Sequence, residues 1–324
     1  RRQRQMCIRD SIYVKPGQTP GNVLIEIKSG KIKGNPTLWS WHIWIVDNYP
    51  TVLDVASQGG DGPKTVQLMS HLLGAYERVQ SQYSADAYRE FGMQYQWGRK
   101  DPFPAHDVRV NKNFYDGSGK LFDFLWEQRG NDVDYGKTDA QQARGAALTM
   151  KQSIEHPNAI VSHQSFWLYE CFPHGFVSYF KDRWVFLYPW NQPSQTGNPE
   201  DVGGKTVFDP SPYGFRIMSQ KEAVTLRFAY YYASRSGLNT PLPGSIYDGS
   251  FTDGKSGGNE VIFAVAQARS DTHAGRYLLN STGGPAGWAP TSNTSAVYRR
   301  CMTYSVRPVV DPDVKDDYEK YLPQ

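Results

Sequence analysis

Four aromatic and proline-rich motifs, in a fixed order across most of the 324 residues, constrain the fold of this chain more than any other feature. They are WSWHIW at 39–44, YQWGRKDPFP at 95–104, FDPSPYGFRI at 208–217 and YSVRPV at 304–309. None contains the spacing of a metal site, a nucleophile elbow or a phosphate loop. We therefore interpret them as fold markers, which indicate what kind of domain this is and little about what it binds.

Residues 1–11 read as a translated sequencing adapter of the transposase type, and we exclude them from the interpretation of the fold. They hold four of the 35 Lys and Arg and one of the 32 Asp and Glu, so the remaining chain has 31 of each and no net charge. A basic arm for nucleic acid, the alternative interpretation, thereby loses its electrostatic support. We expect no nucleic-acid partner, and we expect the natural protein to extend further towards its N-terminus.

The composition predicts a loop-rich domain with an aromatic core. The chain has 21 Tyr, 9 Trp, 30 Gly and 21 Pro, with 39% hydrophobic residues, which favours many turns and few long helices. The longest apolar runs are too short to cross a bilayer, so we expect no transmembrane segment. Outside residues 1–11 the cysteines are Cys171 and Cys301, which form one long-range disulfide or remain two buried thiols.

The sequence divides into a strand region at 12–47, a main domain at 48–310 and a charged tail at 311–324. Residues 22–28 and 38–46 have the alternation and the β-branched or aromatic bias of two strands, with turn residues between them. They predict a β-hairpin, which cannot bury both its faces alone. It is either the remnant of an upstream β-sandwich domain or it packs onto the main domain.

Beyond the hairpin, we expect residues 47–104 to be mostly loop, with weak helical spacing from Val66 to Val79. Capping boxes at 138–141 and 219–222 predict two main helices, one from about Asp139 to Glu155 and one from the second box to about Ser234. The other predicted elements are strands at 185–188, 260–269, 277–280 and 297–309, an insertion at 105–136, and loops at 193–204 and 247–259.

One loop has the oxygen-bearing side chains that a calcium ion prefers, namely Asp248, Asp253, Asn259 and Glu260. Their spacing is not that of an EF-hand, and an ordinary solvated turn is the alternative. Trp288 is a candidate for stacking on a sugar ring, and we place a ligand site at Trp288, Asp248 and Asp253. We predict no other cofactor.

The sequence predicts no catalytic residue. Cys171 and His174 lie three residues apart, but Pro173 and Gly175 indicate a turn there rather than a thiolate–imidazole pair. The Arg99-Lys100-Asp101 run resembles a catalytic cluster, yet we expect a buried Arg that pairs with a carboxylate and pins a loop.

We expect nine residues of the motifs to be structural, with His42 as a hydrogen-bonded core histidine. They are Trp39, Trp41, His42, Trp44, Trp97, Arg99, Asp101, Arg216 and Arg307.

The motifs together resemble cell-surface proteins of Bacteroidota, many of them fimbrillin-like or lipoprotein-like, whose C-terminal domain is the Fibrobacter-type major paralogous domain. Their Trp-Ser-Trp-His-Ile-Trp strand, Leu-Gly-Ala segment and Tyr-Gln-Trp-Gly-Arg-Lys-Asp-Pro-Phe run match 39–44, 73–75 and 95–103. Their Asp-Pro-x-Pro-x-Gly-aromatic-Arg entry and Ser-Val-Arg-Pro-Val strand match 209–216 and 305–309.

The chain departs from that pattern at three places. His71 lies in a Met-Ser-His-Leu-Leu-Gly-Ala segment where Met-Asp-Arg-Asn-Leu-Gly-Ala is usual, and Ser211 replaces a usual cysteine. The usual Tyr-Trp-Ser-Ser strand is represented only by residues 277–281. The chain is therefore a divergent relative.

The resemblance implies an α+β fold, a loop-rich C-type-lectin-like domain with short antiparallel strands and two main helices. It implies a secreted or outer-membrane-displayed, non-enzymatic binding module, an adhesin or pilus-tip protein, whose partner is a glycan or protein on a host or neighbouring cell. A structural fimbrial subunit that contacts other subunits is the alternative. The distantly similar formylglycine-generating enzymes need a reactive cysteine pair, which the contexts of Cys171 and Cys301 do not provide.

Overall fold

The computed structural model describes the chain in fifteen stretches. They are 20–30, 35–56, 65–78, 89–90, 92–104, 150–155, 157, 190–193, 202–219, 221–223, 245–247, 250–252, 260–268, 274–280 and 303–313. This part of the chain is mostly antiparallel strands with few helices.

The strands and the helix are numbered along the described residues. Their bounds are β1 Gly21–Lys28, β2 Thr37–Ile45, β3 Val52–Ala56, β4 Thr65–Met69, β5 Met93–Gln96, β6 Phe103–Pro104, α1 Met150–Glu155, β7 Asn191–Pro193, β8 Val202–Lys205, β9 Phe215–Arg216, β10 Ser245–Tyr247, β11 Ser250–Thr252, β12 Glu260–Ala268, β13 Ala274–Asn280, β14 Thr303–Ser305 and β15 Val309–Val310.

Two larger sheets form the body of the described structure. One has the order β13-β12-β14-β5-β6 and the other the order β3-β4-β15-β9. Neighbouring strands are antiparallel except β12 and β14, which are parallel. Three two-stranded sheets, β1–β2, β7–β8 and β10–β11, complete the described topology. β14 and β15 are separated by only three residues. The segment 303–310 therefore contributes one strand to each of the two larger sheets.

The predicted N-terminal hairpin is confirmed, since β1 and β2 pair antiparallel. Its register places Asn22 opposite Trp44, Glu26 opposite Ser40 and Ile25 opposite Trp41. Side chains of directly opposite residues lie on the same face of a sheet. From Ser40 to Trp44, the even-numbered residues of β2 therefore share one face, which contacts the body, and the odd-numbered residues share the other. The hairpin packs onto the main domain, as one of the two alternatives predicted.

Most of the described residues between 47 and 104 lie outside strands, as expected, but β3, β4, β5 and β6 also lie there. The helical interpretation after Val66 is wrong, because β4 occupies Thr65–Met69. The weak helical spacing after Val66 misled the prediction. Val66, Leu68 and Met69 are all buried, so β4 has apolar side chains on both faces. A short apolar run of this kind cannot be told from a buried helical turn by periodicity alone.

Each helix prediction is covered in part by the described residues. α1 ends at Glu155, as predicted, while its expected start and the capping box at 138–141 lie outside the described residues. The second capping box forms as predicted. The Ser219 N–H donates to Glu222 Oε2 at 2.7 Å, and the Glu222 N–H donates to Ser219 Oγ at 3.1 Å. Residues 221–223 are helical, and the rest of that predicted helix lies outside the described part.

Large aromatic side chains fill the described core, as the composition predicted. Trp97 and Trp190 are fully buried, with their ring centroids 6.3 Å apart. Both indoles have a hydrogen-bond acceptor, since Trp97 Nε1 donates to Ala266 O at 3.2 Å and Trp190 Nε1 to Arg99 O at 3.0 Å. A buried indole stabilises a core when its N–H is satisfied in this way.

The remaining strand and loop predictions have mixed outcomes. β12 and β13 occupy the predicted strands at 260–269 and 277–280, whereas the described part of the predicted strand at 297–309 forms two strands in different sheets, β14 and β15. The predicted loop at 247–259 contains β11, so that prediction is wrong in part, and the loop at 193–204 is bounded by the paired strands β7 and β8. The strand at 185–188 and the insertion at 105–136 lie outside the described residues. The first residue of the predicted tail, Asp311, is buried.

Two motif glycines adopt backbone conformations that other residues rarely reach. Gly74 has a φ of 85° and Gly98 a φ of 84°. Each is the third residue of a four-residue turn, closed by the Ala75 N–H to Leu72 O at 2.9 Å and by the Arg99 N–H to Gln96 O at 3.0 Å. A positive φ at this position is the requirement of a type II turn, which glycine meets without strain.

Candidate functional site

The inner face of the hairpin meets the body along a polar contact that we call the seam. It consists of Asn22, Ser40, His42 and Trp44 on the hairpin, and of Gly74, Ala75, Tyr95, Lys100 and Asp101 on the body. The first and second motifs therefore lie against each other in space. Because every second residue of β2 points into the seam, Ser40, His42 and Trp44 each reach a different part of the body.

A buried Ser–Lys–Asp cluster lies in the seam. Ser40 Oγ donates to Asp101 Oδ1 at 2.6 Å, and Lys100 Nζ donates to the same oxygen at 2.7 Å and to the Ser40 carbonyl at 2.9 Å. Lys100 Nζ also contacts Ser40 Oγ and lies 4.6 Å from the centroid of the Trp39 ring. Burial lowers the pKa of Lys100, although Asp101 opposes that shift.

The second motif supplies both ions of the cluster. The cation that pairs with Asp101 there is Lys100, its neighbour in sequence, which the sequence did not predict. Arg99 is buried, as expected, and its guanidinium donates to Gln96 Oε1 and to Pro157 O, each at 3.0 Å. Burial lowers the pKa of Arg99 to about 10. The carboxylate belongs to the seam, and the guanidinium belongs to the core.

His42 is the centre of a hydrogen-bonded chain, and the prediction of a hydrogen-bonded histidine is confirmed. Its Nε2 lies 2.7 Å from Asn22 Oδ1, and its Nδ1 lies 3.0 Å from the Tyr95 hydroxyl. Asn22 Nδ2 continues the chain to the Gly74 carbonyl at 2.8 Å. Burial lowers the pKa of His42 to about 4, and it raises the pKa of Tyr95 well above its usual value.

Trp44 ends the seam on the side of the Leu-Gly-Ala segment. Its indole Nε1 donates to Ala75 O at 2.8 Å, and its ring lies edge-on to the His71 ring with centroids 6.2 Å apart. His71 is buried, and its Nδ1 lies 2.9 Å from Ser70 Oγ. Burial first, and then the charges of Arg307 and Arg78, lower the pKa of His71 to about 4.

The third motif is held by one carboxylate and one ammonium. Asp209 accepts the N–H of Ser211 at 2.8 Å and the N–H of Ile217 at 2.9 Å. Lys205 Nζ contacts the Ser211 carbonyl and donates to Phe215 O at 3.1 Å. Burial raises the pKa of Asp209 and lowers the pKa of Lys205. Both side chains satisfy the backbone of an irregular loop, which is a structural role.

The two arginines expected to be structural, Arg216 and Arg307, both bond within the body. Arg216 forms a fork with Glu222, with Nη1 to Oε2 at 2.9 Å and Nη2 to Oε1 at 2.8 Å. Burial opposes its charge, but Glu222 outweighs that effect and raises the pKa of Arg216. Arg307 Nε donates to Met69 O at 3.2 Å. The third and fourth motifs thus join β9, β4 and the helical turn at 221–223.

The outer face of the hairpin contrasts with the seam. Val23, Ile27 and Trp41 have relative exposures of 49%, 47% and 38%. Ile25 and Ile43 lie on the same face and are half-buried. Val23, Ile27 and Trp41 thus form an exposed apolar surface, whereas Trp39, at the end of the same face, lies against Phe208 and Lys100 of the body.

The predicted ligand and calcium residues lie almost entirely outside the described residues. Asp248, Asp253, Asn259 and Trp288 lie outside the described residues, as do Cys171 and Cys301, and Glu260 is described only as the first residue of β12. Within the described ranges, no three His, Cys, Asp or Glu side chains are grouped as a metal site.

Sequence reasoning missed several members of the seam, including Ser40, Tyr95 and Gly74. A signal was present for Ser40 and His42, because polar residues at alternate positions between tryptophans mark one face of a strand. No pattern in the sequence points to Tyr95 or Gly74, since both bond the hairpin from more than fifty residues away.

Comparisons with protein-family models, curated proteins and solved structures give no match to this chain. Among the helices that the structure describes, none is long and apolar enough to cross a membrane.

Proposed function

We propose that the protein is a non-enzymatic cell-surface module, an adhesin or pilus-tip-associated protein that binds a protein or glycan on a host or neighbouring cell. The resemblance of its four motifs to fimbrillin-like proteins of Bacteroidota supports this proposal. The predominance of antiparallel strands accords with an α+β, C-type-lectin-like domain, which belongs to the same proposal. Secretion, or display on the outer membrane, is also part of this proposal.

The observation that carries the proposal is the outer face of the hairpin. Val23, Ile27 and Trp41 are exposed there, while the opposite face of the same two strands is fixed by the seam. Contiguous apolar side chains on the surface of a soluble domain mark sites of interaction with other proteins. A surface whose backbone is already fixed also loses little conformational entropy when it binds.

The Ser40–Lys100–Asp101 cluster supports a binding role over an enzymatic one. Ser40 and Asp101 are each 2% exposed and Lys100 is 8% exposed, so a substrate has no access to the hydroxyl. A serine nucleophile needs an open approach and a base that accepts its proton. A formylglycine-type enzyme, built on Cys171 and Cys301, remains the third hypothesis.

A structural surface subunit without a small ligand is the second candidate, and the same outer face favours it. An apolar β-surface at the start of the described residues is suited to contact another subunit of a fimbrium. The two candidates differ in whether the protein's association state depends on its own concentration. A subunit of an assembly associates with other copies or neighbouring subunits, whereas a binding module responds to a ligand.

The test combines a glycan array and a calcium titration with thermal shift, because a ligand that binds only the folded state raises its stability. Saturable stabilisation by a sugar or by calcium supports the binding module. Flat responses, together with self-association that Ile27→Thr abolishes in sedimentation velocity, transfer the assignment to the structural subunit. Val207→Thr is the matched control, since Val207 is 71% exposed and belongs to the loop after β8, not to the hairpin. Flat responses and a monomer at every concentration contradict both candidates.

A further inference from the structure

Two histidines meet at the seam from opposite sides. His42 lies on the inner face of β2 and bonds Tyr95 of the body. His71 lies in the body, in the loop after β4, and packs edge-on against Trp44 of the hairpin. Both imidazoles therefore take part in attaching one small element, the hairpin, to the rest of the molecule.

The hydrogen-bonded chain through His42 fixes its protonation state. Asn22 Nδ2 donates to a carbonyl, so the Asn22 oxygen is the atom that faces His42 and it can only accept. His42 Nε2 must therefore carry the proton. In a neutral imidazole Nδ1 then has a lone pair, which accepts the Tyr95 hydroxyl proton at 3.0 Å. A second proton on His42 removes this acceptor. The Nδ1–H of His42 and the hydroxyl of Tyr95 are then two donors that face each other, in a site where Tyr95 is fully buried.

His71 is unsuited to carry a charge for a different reason. It is 2% exposed, and its Nε2 has no hydrogen-bond partner. The charged groups that act on it are both cations, Arg307 from the segment before β15 and Arg78 from the loop after β4. Protonation of His71 thus adds a third positive charge to a buried place, which costs free energy through both desolvation and repulsion.

The position of His71 links this cost to the hairpin. Gly74 and Ala75 follow His71 by only three and four residues. Their carbonyls accept hydrogen bonds from the side chains of Asn22 and Trp44. A displacement of the His71 loop therefore moves the acceptors of the seam. The other ionic contacts near the seam are the Lys100–Asp101 pair, which bonds Ser40, and the Glu26–Lys28 pair on β1. Arg89 joins Asp47, just after β2, to Glu77 of the body.

We propose that the seam is acid-labile: when His42 and His71 take up protons, the β1–β2 hairpin detaches from the body while the two larger sheets remain folded. The hairpin is the part that detaches because, among the described strands, β1 and β2 pair only with each other. An isolated two-stranded hairpin is marginally stable in water. β14 and β15, by contrast, have strands on both sides.

The direction of the pH dependence is set by the pKa shifts of the two histidines. Burial lowers the pKa of both attached histidines to about 4, whereas an exposed imidazole titrates near 6.5. The detached state therefore binds protons more tightly. Attachment is strongest above about pH 6.5 and weakens as the pH falls towards 4. Each histidine favours detachment by roughly twentyfold at pH 5 relative to neutral pH.

Hydrogen exchange measured by mass spectrometry between pH 7.5 and 4 tests the proposal, with rates corrected for the intrinsic pH dependence of exchange. Peptides from residues 21–45 should lose protection by roughly tenfold or more below pH 5.5, while peptides from 303–310 keep theirs. Loss of protection in both regions at the same pH indicates global acid unfolding and overturns the proposal.

The variants His42→Gln and His71→Asn, alone and combined, remove the titrating groups while each retains a neutral donor and acceptor. The double variant should keep the hairpin protected down to pH 4, and an unchanged pH of detachment overturns the proposal. If either variant is unfolded at pH 7.5, NMR titration of the wild-type imidazole resonances decides. Both rings should titrate together with hairpin detachment, and titration near 6.5 with the hairpin still protected contradicts the proposal.

Discussion

The two faces of the β1–β2 hairpin have almost opposite chemistry although they share the same backbone. The inner face carries Ser40, His42 and Trp44, each with a hydrogen bond to a different loop of the body. The outer face exposes Val23, Ile27 and Trp41. From Ser40 to Trp44, alternate side chains therefore hold the strand in place and present a surface. The comparison teaches that this motif encodes attachment and display at once.

The largest effect is expected where the inner face meets a charge. Asp101→Ala leaves the Lys100 ammonium buried without its carboxylate, and removal of one partner of a buried ion pair costs about 3–5 kcal/mol. Urea denaturation measures the change in unfolding free energy. Asp54→Ala, at an exposed carboxylate that bonds Gln67, is the control and should change stability by roughly 0.5 kcal/mol or less. Similar losses in both variants would refute a special role of the seam.

The next effect isolates the hairpin side of the same cluster. Ser40→Ala removes a hydrogen bond to a carboxylate and should cost about 1.5–3 kcal/mol. A double-mutant cycle with Asp101→Ala measures the coupling, which should exceed about 0.5 kcal/mol because the two side chains are in contact. Strict additivity would show that the hydroxyl contributes nothing through Asp101.

A backbone change in the body, at the turn that accepts Asn22, should lower the unfolding free energy by a similar or smaller amount. Gly74→Ala places a methyl group 2.4 Å from Met93 Cγ at a φ of 85°, so the turn that presents its carbonyl to Asn22 must distort. We expect a loss of about 1–3 kcal/mol. Gly21→Ala is the matched control, because nothing lies within 4 Å of the added carbon. Thermal or urea unfolding of both variants provides the comparison, and equal losses would contradict the role assigned to the turn.

The smallest effect on stability is expected on the outer face. Val23→Thr and Ile27→Thr keep β-branched side chains and remove exposed apolar atoms, so each should change the unfolding free energy by about 0.5 kcal/mol or less. Binding or self-association should nevertheless fall, as measured by sedimentation velocity. A large loss of stability would mean that this face is covered in the folded protein, and the contrast between the two faces would disappear.

Alternation of apolar and polar residues was enough to predict β1 and β2, and local side-chain chemistry was enough to predict the capping box of Ser219 and Glu222. β4 was missed because buried side chains on both of its faces remove the alternation. The pairing of Lys100 with Asp101 was not predicted for another reason: which residue of the run faces the seam depends on the turn at Gly98, whose direction is set in three dimensions.

The segment at 303–310 has a consequence for how the protein reaches this structure. β14 lies between β12 and β5 in one sheet, and β15 lies between β4 and β9 in the other. Neither sheet can complete its strand pairing until this segment is available, although β3, β4 and β5 are synthesised more than two hundred residues earlier. Such long-range pairing slows folding, because the entropy of closing large loops is lost before the contacts form. The emerging chain therefore carries unpaired strand edges through most of its synthesis and completes both sheets in one late step.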